Sequence, residues 1–184
     1  MLTRRYSFGG EVIPSDFITQ GAWDKIDMQG FQARNGKETR WPEVKAAAEA
    51  IRIKHKRVGV IGTCWGGWAS FQLGSKAHSP RLVDCVSTAH PTWLTNEDMD
   101  NIGVPVQIVA PEIDPVFNPE LKAYANTVIP TKGVPYDYQY FPGVDHGFAS
   151  RGNPDDEKDQ RAMVRAKNVM VGWMKEWLHG GLQW

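Results

Sequence analysis

The sequence predicts an α/β fold, a mostly parallel sheet with helices on both of its faces. Two observations lead to this prediction. Apolar runs of strand length alternate with segments of helix length along the 184 residues, and this alternation is typical of parallel sheets with crossover helices. The runs are also apolar at successive positions rather than at every second one, as from Val104 to Ala110. Continuous runs of this kind are typical of strands that are buried on both faces.

The bounds of the predicted elements follow from these runs and from the residues beside them. Proline suits the first turn of a helix and glycine often follows the last, so Pro154 and Gly180 bound the last predicted helix. In chain order we predict a helix over 42–54, a strand ending at 62, a helix after 64, strands near 82 and over 104–110, a polar turn over 111–115, a helix over 119–128, a strand over 134–141, a loop over 142–148 and a helix over 154–178. No repeat or linker divides these elements, so we predict a single domain over residues 1–184.

The charge balance argues against one class of partner. The chain has 21 basic and 21 acidic residues and a formal net charge of zero, so it lacks the basic excess that attracts nucleic acid or an anionic membrane. No run of about 18 apolar residues predicts a membrane span, and the first residues lack the apolar core of a signal peptide. We therefore predict a cytoplasmic protein that binds neither nucleic acid nor membrane.

The chain has two cysteines, Cys64 and Cys85, which are too few for the disulfide framework of a secreted scaffold. Cys85 lies in a predicted strand, where its side chain is expected to pack in the core. A metal site built from Cys64, Cys85 and His90 is the less favoured alternative, because neither Cys-x-x-Cys nor His-Glu-x-x-His spacing is present. We expect no metal and no organic cofactor.

Residues 58–67, Val-Gly-Val-Ile-Gly-Thr-Cys-Trp-Gly-Gly, form the most informative motif. An apolar strand that ends in Gly-x-Cys-x-Gly and leads into a helix is the pattern of a nucleophile elbow with sulfur in place of oxygen. Because the turn is tight, small residues are expected at both Gly62 and Gly66. The elbow would expose Cys64 at the carboxyl end of a strand, where the amino end of the next helix favours a thiolate. A cysteine that merely packs at a strand-to-helix junction is the alternative.

Two later loops offer an acid and a base for this nucleophile, in the chain order that such an elbow requires. Asp114, in the polar turn after the third strand, is the predicted acid, with Glu112 and Asp145 as alternatives. His146, between glycines on the loop after the fourth strand, is the predicted base. A thiol is mostly protonated at neutral pH, so a base must take its proton, and a carboxylate must orient that base. Three other histidines are predicted to be solvated: His55, His78 and His179.

Four motifs together resemble the dienelactone hydrolase family: Gly-Thr-Cys-Trp-Gly-Gly at 62–67, Ala-His-Pro-Thr at 89–92, Asp-Pro-Val-Phe at 114–117 and His-Gly-Phe at 146–148. The resemblance runs from about Phe31 to the end of the chain. It implies an α/β-hydrolase fold with a Cys-Asp-His triad formed by Cys64, Asp114 and His146. It also implies cleavage of an ester or lactone through an acyl-Cys64 intermediate.

The chain also departs from that family, because Cys64 comes early and the first strands of typical members have no match. In this fold the backbone N–H of the residue after the nucleophile, here Trp65, is one oxyanion-hole donor, and the loop before the first helix supplies the other. We expect that second donor to be absent, together with a glutamate that helps to activate the thiol in members of the family. Residues 1–36 are expected to form either a lid over the site or a cover for the sheet edge.

Side chains near the motifs suggest how a substrate is held. Trp65, Trp68 and Trp93 lie in or near the motifs, and they would favour an aromatic or flat acyl group or would fill the core beside the elbow. Arg151 resembles an arginine that contacts the substrate carboxylate in some relatives, although it lies one residue further from the histidine. Its alternative role is to cap or solvate its loop.

These observations predict a hydrolase that cleaves a small ester or lactone with Cys64 as nucleophile, His146 as base, Asp114 as its orienting acid and Trp65 as oxyanion donor. The alternative belongs to another class: a catalytically silent binding or assembly protein with an incomplete oxyanion hole. A homodimer that covers the exposed sheet edge is a further expectation.

Overall fold

The computed structural model describes residues 27–180 of the chain, and over them it confirms the predicted α/β architecture. The helices are α1 (Met28–Asn35), α2 (Lys37–Lys54), α3 (Trp65–Leu73), α4 (Asn96–Asp100), α5 (Pro119–Val128), α6 (Phe148–Arg151) and α7 (Glu157–His179), with a short 3-10 helix over Ile129–Lys132. The strands are β1 (Gly59–Thr63), β2 (Cys85–Ala89), β3 (Val106–Ile113) and β4 (Tyr136–Asp145).

The four strands form one parallel sheet in the order β1-β2-β3-β4. A helix lies between each pair of consecutive strands, as parallel crossovers require. The register pairs Gly59 with Cys85 and Thr63 with Ala89, so neighbouring strands start and end at nearly the same height. The carboxyl ends of all four strands therefore lie along one edge of the sheet.

The core lies where the apolar runs predicted it. Every residue of β2 is buried, and Val106, Ile108 and Val109 of β3 have no exposed surface. The long helix α7 packs one apolar stripe on the sheet, with Ala166 and Met170 in a cluster with Val109 and Phe141. Burial of large aliphatic and aromatic side chains of this kind contributes roughly 1.5–3 kcal/mol per residue.

Two strands are longer than predicted, because each continues through a segment that contains proline. The predicted polar turn over 111–115 is wrong up to Ile113, since β3 still pairs with β4 through Pro111 and Phe141. The predicted loop over 142–148 is wrong up to Asp145 for the same reason. A register shift lies between Pro111 and Ile113, and Gly143 adopts φ +68°, a conformation that glycine adopts without strain. The irregularity accommodates the prolines without ending the strands.

Two helix starts also differ from the prediction. Helix α2 starts at Lys37, with Pro42 inside it, so the proline does not occupy the first turn. Helix α7 starts at Glu157 rather than at Pro154, because the Asp156 carboxylate accepts hydrogen bonds from the Lys158 and Asp159 N–H groups at its amino end. A side-chain cap of this type satisfies the free N–H groups at a helix start and stabilises it there. The predictions for α5 and for the end at Gly180 are confirmed.

The chain divides into two compact units with a boundary between Val44 and Lys45, and the single-domain organisation stays a prediction. Residues 37–54 are one continuous helix across that boundary. Of the predicted lid or edge cover over 1–36, residues 1–26 lie outside the described residues, and residues 28–35 form α1. Among residues 27–180, none of the helices combines the length and apolarity that a membrane crossing requires.

Candidate active site

Four residues with chemically active side chains each follow directly after the last residue of a strand. Cys64 follows β1, His90 follows β2, Asp114 follows β3 and His146 follows β4. Because the carboxyl ends of the parallel strands lie along one edge, these four side chains meet although up to 82 positions separate them in the sequence. Ligand and catalytic sites of open parallel sheets characteristically lie at this edge.

Cys64 sits at a sharp turn between β1 and α3. Its backbone adopts φ +54° and ψ −120°, a strained conformation for a residue with a side chain, of the kind that costs about 1–3 kcal/mol. Hydrogen bonds hold the turn on both sides: the Cys64 N–H donates to the Ala89 carbonyl at 3.1 Å, and the Gly67 N–H donates to the Cys64 carbonyl at 2.9 Å. The local backbone is therefore that of a nucleophile elbow.

The glycines of the elbow have unequal roles. A Cβ at Gly62 would lie 2.0 Å from the Gly66 carbonyl oxygen, so a larger residue is excluded there, as predicted. The same expectation for Gly66 is wrong, because no described atom lies within 4 Å of its Cβ position. Gly67 is the crowded position instead, with a Cβ 2.5 Å from Pro91 Cβ, since the loop after β2 packs on the first turn of α3.

The predicted acid, base and nucleophile form a continuous chain of contacts. His146 Nδ1 donates to Asp114 Oδ2 at 2.9 Å, and His146 Nε2 lies 3.4 Å from Cys64 Sγ. The other carboxylate oxygen of Asp114 accepts hydrogen bonds of 2.9 Å from the N–H groups of Val116 and Phe117. The Asp114 side chain is completely buried, and that of His146 is 17% exposed. The orientation of the imidazole is thus fixed by a carboxylate that is itself held in place.

The two alternative acids lie elsewhere. The Glu112 carboxylate accepts a hydrogen bond from the Gly143 N–H at 2.7 Å, and so ties β3 to the irregular part of β4. Asp145 ends β4 and is exposed. Of the three candidates, Asp114 has the hydrogen bond to His146 Nδ1.

Charges in the site shift three pKa values. Burial by itself raises the pKa of Cys64, but the hydrogen bonds from His146 and Thr92, the charge of His146 and the Trp65 N–H bring it below the ordinary value of a thiol. Burial by itself lowers the pKa of His146, but Asp114 and Cys64 raise it to about 9. Burial also opposes the charged form of Asp114, yet its hydrogen bond from His146 keeps its pKa below the usual range. Both the lowered pKa of Cys64 and the raised pKa of His146 are shifts in the direction that favours a thiolate beside an imidazolium.

Trp65 contributes its backbone. It is the first residue of α3, and its N–H forms a hydrogen bond with the Cys64 side chain. Its role as an oxyanion-hole donor stays a prediction. Its half-buried ring meets Trp68 edge to face, with centroids 5.3 Å apart.

The other residues that were predicted to contact substrate differ in their burial. Trp68 is only 4% exposed, which favours the packing interpretation for this residue. Trp93 is half-buried, and its backbone has φ +61°. Arg151 is exposed at the end of α6, and its Nε lies 3.6 Å from where a Cβ on Gly147 would be. The charge of Arg151 also helps to lower the pKa of His90, so Arg151 lies within electrostatic reach of the site.

Sequence reasoning assigned no catalytic role to two residues that line the site, Thr92 and His90. Thr92 Oγ1 lies 3.2 Å from Cys64 Sγ and 3.4 Å from His146 Nε2. The buried ring of His90 meets that of His146 edge to face at 4.9 Å, and neither of its nitrogens has a partner among the described residues. Burial and the charge of His146 lower the pKa of His90 to about 3, so this ring stays neutral. The available signal was their position in the loop after β2, which ends beside the elbow: His90 is the first residue of that loop and Thr92 the third.

Cys85 lies far from this edge. It starts β2 opposite Gly59, whereas Cys64 follows the last residue of β1, so the two thiols occupy opposite ends of the strand pair. Cys85 has no exposed surface and packs with Trp173 and Trp177, as predicted for a core residue.

No group of three potential metal ligands occurs in the described part of the chain. Of the other histidines, His55 and His179 are exposed, whereas His78 is half-buried with its ring 2.9 Å from the Gln72 carbonyl.

Solved structures of known proteins share this fold. A Klebsiella pneumoniae protein superposes with a TM-score of 0.67 at 12% identity, covering 84% of this chain and 69% of its own. Puromycin hydrolase, solved as its S511A mutant, superposes with a TM-score of 0.60 at 18% identity, covering 78% of this chain and 28% of the hydrolase. With the parallel sheet and the elbow, these similarities define the domain as an α/β-hydrolase fold.

Sequence comparison then identifies the family. The profile of the dienelactone hydrolase family matches residues 10–178, and this chain belongs to that family. The hydrolase tropI of Talaromyces stipitatus is 29% identical over 143 residues, which are 77% of this chain and 55% of that protein. The carboxymethylenebutenolidase homolog of Xenopus tropicalis is 29% identical, with 91% of this chain and 70% of that protein covered. The chain spans about half the length of tropI and of the Aspergillus violaceofuscus hydrolase pyvD.

Proposed function

We propose that this chain is a carboxylic ester or lactone hydrolase that works through an acyl-cysteine intermediate. The observation that carries the proposal is the unbroken contact chain from Asp114 through His146 to Cys64, with lengths of 2.9 Å and 3.4 Å. Membership of the dienelactone hydrolase family supports the reaction class. The lowered pKa of Cys64 and the raised pKa of His146 support the direction of the first step.

In the first half-reaction the Cys64 thiolate attacks the carbonyl carbon, and a C–S bond forms while the carbonyl electrons move to oxygen. The Trp65 N–H donates to that oxyanion. The C–O bond to the leaving group then breaks, and His146 Nε2 gives its proton to the departing alkoxide. A lactone opens in the same way, with its alcohol remaining part of the acyl group.

In the second half-reaction neutral His146 accepts a proton from water while that water attacks the thioester carbon. The C–S bond breaks, the acid leaves, and the thiolate and imidazolium are restored. Asp114 keeps Nδ1 protonated throughout, so that Nε2 is the nitrogen that exchanges the proton. The steps use these side chains, the backbone N–H of Trp65, substrate and water.

Substrate recognition is the less specific part of the proposal. We assign contacts with the acyl group to half-buried Trp93 and a contact with a substrate carboxylate to exposed Arg151. Both flank the site, Trp93 on the loop after β2 and Arg151 at the end of α6. A small ester or lactone with a flat acyl group fits this combination of an aromatic ring and a cation.

The test is mass spectrometry of the intact chain after brief exposure to an activated aryl ester, with release of the phenol followed in parallel. We expect one acyl group on Cys64 that disappears as turnover proceeds, and no adduct on Cys64→Ala. An adduct that persists would contradict deacylation by His146. No adduct at all would favour the silent binding protein. A homodimer stays a prediction that light scattering can test.

A further inference from the structure

The loop after β2 places one more hydroxyl between the nucleophile and the base. Thr92 Oγ1 lies 3.2 Å from Cys64 Sγ and 3.4 Å from His146 Nε2, and those two atoms are themselves 3.4 Å apart. The three polar atoms form a nearly equilateral triangle. The two contacts with sulfur are hydrogen bonds of ordinary length for that larger atom, whereas the contact of 3.4 Å between Thr92 Oγ1 and His146 Nε2 is a long hydrogen bond.

The position of this hydroxyl is fixed by the main chain of the same residue. The Thr92 N–H donates to the Cys64 carbonyl at 2.8 Å, and the His90 N–H donates to the Val109 carbonyl at 3.0 Å. His90 and Trp93 have φ values of +39° and +61°, uncommon for residues with side chains. Strained residues of this kind cluster at functional sites, where the surrounding structure holds them. The backbone of the loop therefore positions Thr92 beside the elbow.

Each further hydrogen-bond donor stabilises a thiolate beside an imidazolium. The His146 ring supplies one N–H at Nε2, and the Trp65 N–H supplies another from the first turn of α3. The charged sulfur accepts several hydrogen bonds, and hydrogen bonds to ionised groups are roughly twice as strong as neutral ones. A hydroxyl both donates and accepts, so Thr92 can serve sulfur and imidazolium at once.

We propose, on the basis of the function proposed above, that Thr92 is a further catalytic residue whose hydroxyl donates to the Cys64 thiolate and, as a second acceptor, shares the Nε2–H that protonated His146 directs at the sulfur. Thr92 stabilises the reactive ion pair before substrate attack. Its hydrogen bond to sulfur is lost when Sγ becomes a thioester, because an acylated sulfur is a weak acceptor. Thr92 therefore acts on formation of the nucleophile, whereas His146 acts in both half-reactions.

The other ionisable groups around the thiol come from each neighbouring strand end. His146 acts on Cys64 directly, and Asp114 acts through His146. His90 is neutral, and Arg151 acts on His90. A substitution that removes the Thr92 hydroxyl leaves all four groups in place. Its effect on the titration of Cys64 therefore reports the hydroxyl itself.

The experiment is the pH dependence of alkylation by iodoacetamide, measured at Cys64 by mass spectrometry in wild type, Thr92→Val, Thr92→Ala and Thr92→Ser. We expect the midpoint for Cys64 to rise by about one unit in Thr92→Val and Thr92→Ala, so that alkylation below the midpoint is about tenfold slower. At high pH Cys64 is ionised in every variant. Its alkylation rates in the valine and alanine variants should then match or exceed that of wild type, because a less stabilised thiolate is the better nucleophile. Thr92→Ser keeps the hydroxyl and should retain the wild-type midpoint.

The buried thiol of Cys85 is an internal control for folding. It has no exposed surface, so its alkylation would reveal a variant that has lost its structure. If the valine variant fails this control, the alanine variant tests the same loss of the hydroxyl. An unchanged midpoint in a folded valine or alanine variant would overturn the role of Thr92, and so would a serine variant that behaves like valine.

Alkylation does not depend on ester cleavage, so the two proposals fail separately. A wild-type midpoint at the ordinary value of a thiol, unchanged in His146→Ala, would contradict the ion pair and with it both proposals. A wild-type midpoint that is low, rises in His146→Ala and stays low in Thr92→Val would contradict Thr92 alone.

Discussion

The two cysteines of this chain lie at opposite ends of two adjacent strands, Cys64 directly after β1 and Cys85 at the start of β2, and their pKa values are shifted in opposite directions. Burial raises the pKa of both thiols. At Cys85 the nearby Asp84 adds to that effect and the pKa reaches about 12, whereas at Cys64 three hydrogen bonds and a cation reverse it. Cys85 packs with two tryptophans at the amino end of β2. The comparison shows that hydrogen-bond and charge partners, and not burial alone, decide the direction in which the pKa of a thiol is shifted.

Removal of the cation should make Cys64 resemble Cys85. We expect His146→Ala to reduce ester turnover by roughly 10³-fold or more, because it removes the base and the charge that lowers the thiol pKa. The alkylation midpoint of Cys64 should rise in the same variant. His55→Ala, at an exposed histidine, is the control and should keep both values. Turnover within a few-fold of wild type in His146→Ala would show that Cys64 needs no imidazole.

Neutralisation of the acid should have the next largest effect. In Asp114→Asn the amide can still contact His146 Nδ1, but it no longer favours the imidazolium, so turnover should fall by roughly 10²- to 10⁴-fold. Glu112→Gln and Asp145→Asn are matched controls, one for a carboxylate that binds the Gly143 N–H and one for an exposed carboxylate. Steady-state kinetics of the three variants decides between the three candidate acids. A loss confined to one of the controls would move the role of acid to that residue.

The pH dependence of the acylation rate should be bell-shaped, with limbs set by the ion pair. On the acidic side the rate should rise as Cys64 loses its proton, at a pH below the ordinary range of a thiol because its pKa is lowered. On the alkaline side the rate should fall near pH 9, where His146 loses the proton that the leaving group needs. Single-turnover kinetics with an alkyl ester, whose alkoxide leaving group needs that proton, measures both limbs across this range. An alkaline limb near the ordinary histidine value of 6.5 would contradict the raised pKa of His146.

For the free energy of unfolding, the order of the two cysteines should be reversed, with Cys85 contributing more than Cys64. Cys85→Ala removes a sulfur from the cluster around Trp173 and Trp177 and should lower the free energy of unfolding by about 1 kcal/mol, as for loss of one buried heavy atom. Cys64→Ala should lower it less, because that side chain is only partly buried. Denaturant unfolding of both variants provides the measurement. A larger loss from Cys64→Ala would mean that the site, rather than the core, holds this part of the sheet together.

Much of the fold was predictable because its signals are local. The apolar runs located all four strands, and the Gly-x-Cys-x-Gly pattern placed Cys64 at the turn into α3. Strand ends were less predictable, since β3 and β4 pass through Pro111 and Pro142 as irregular pairs. A pairing of this kind depends on the partner strand, which a single run of residues does not specify.

The crowding at Gly67 also could not be predicted from local sequence. The motif gave equal weight to Gly62 and Gly66, but the loop after β2 presses on Gly67 and leaves Gly66 open. That loop enters from a segment more than 20 residues away, so spacing within the motif carried no information about it. The neutral state of His90 likewise depends on the buried position that its ring shares with His146.

The sequence by itself determined the order of the strands and the segments that follow them, and therefore that Cys64, Asp114 and His146 are found at one sheet edge. Hydrophobic runs and turn residues act over a few positions, so these features can be predicted from local patterns. The tertiary structure decided which carboxylate contacts His146, that Thr92 completes the triangle with Cys64, and which way each thiol titrates. Those properties depend on distances of about 3 Å between residues 28 to 82 positions apart, and only the packed register of the parallel strands sets such distances.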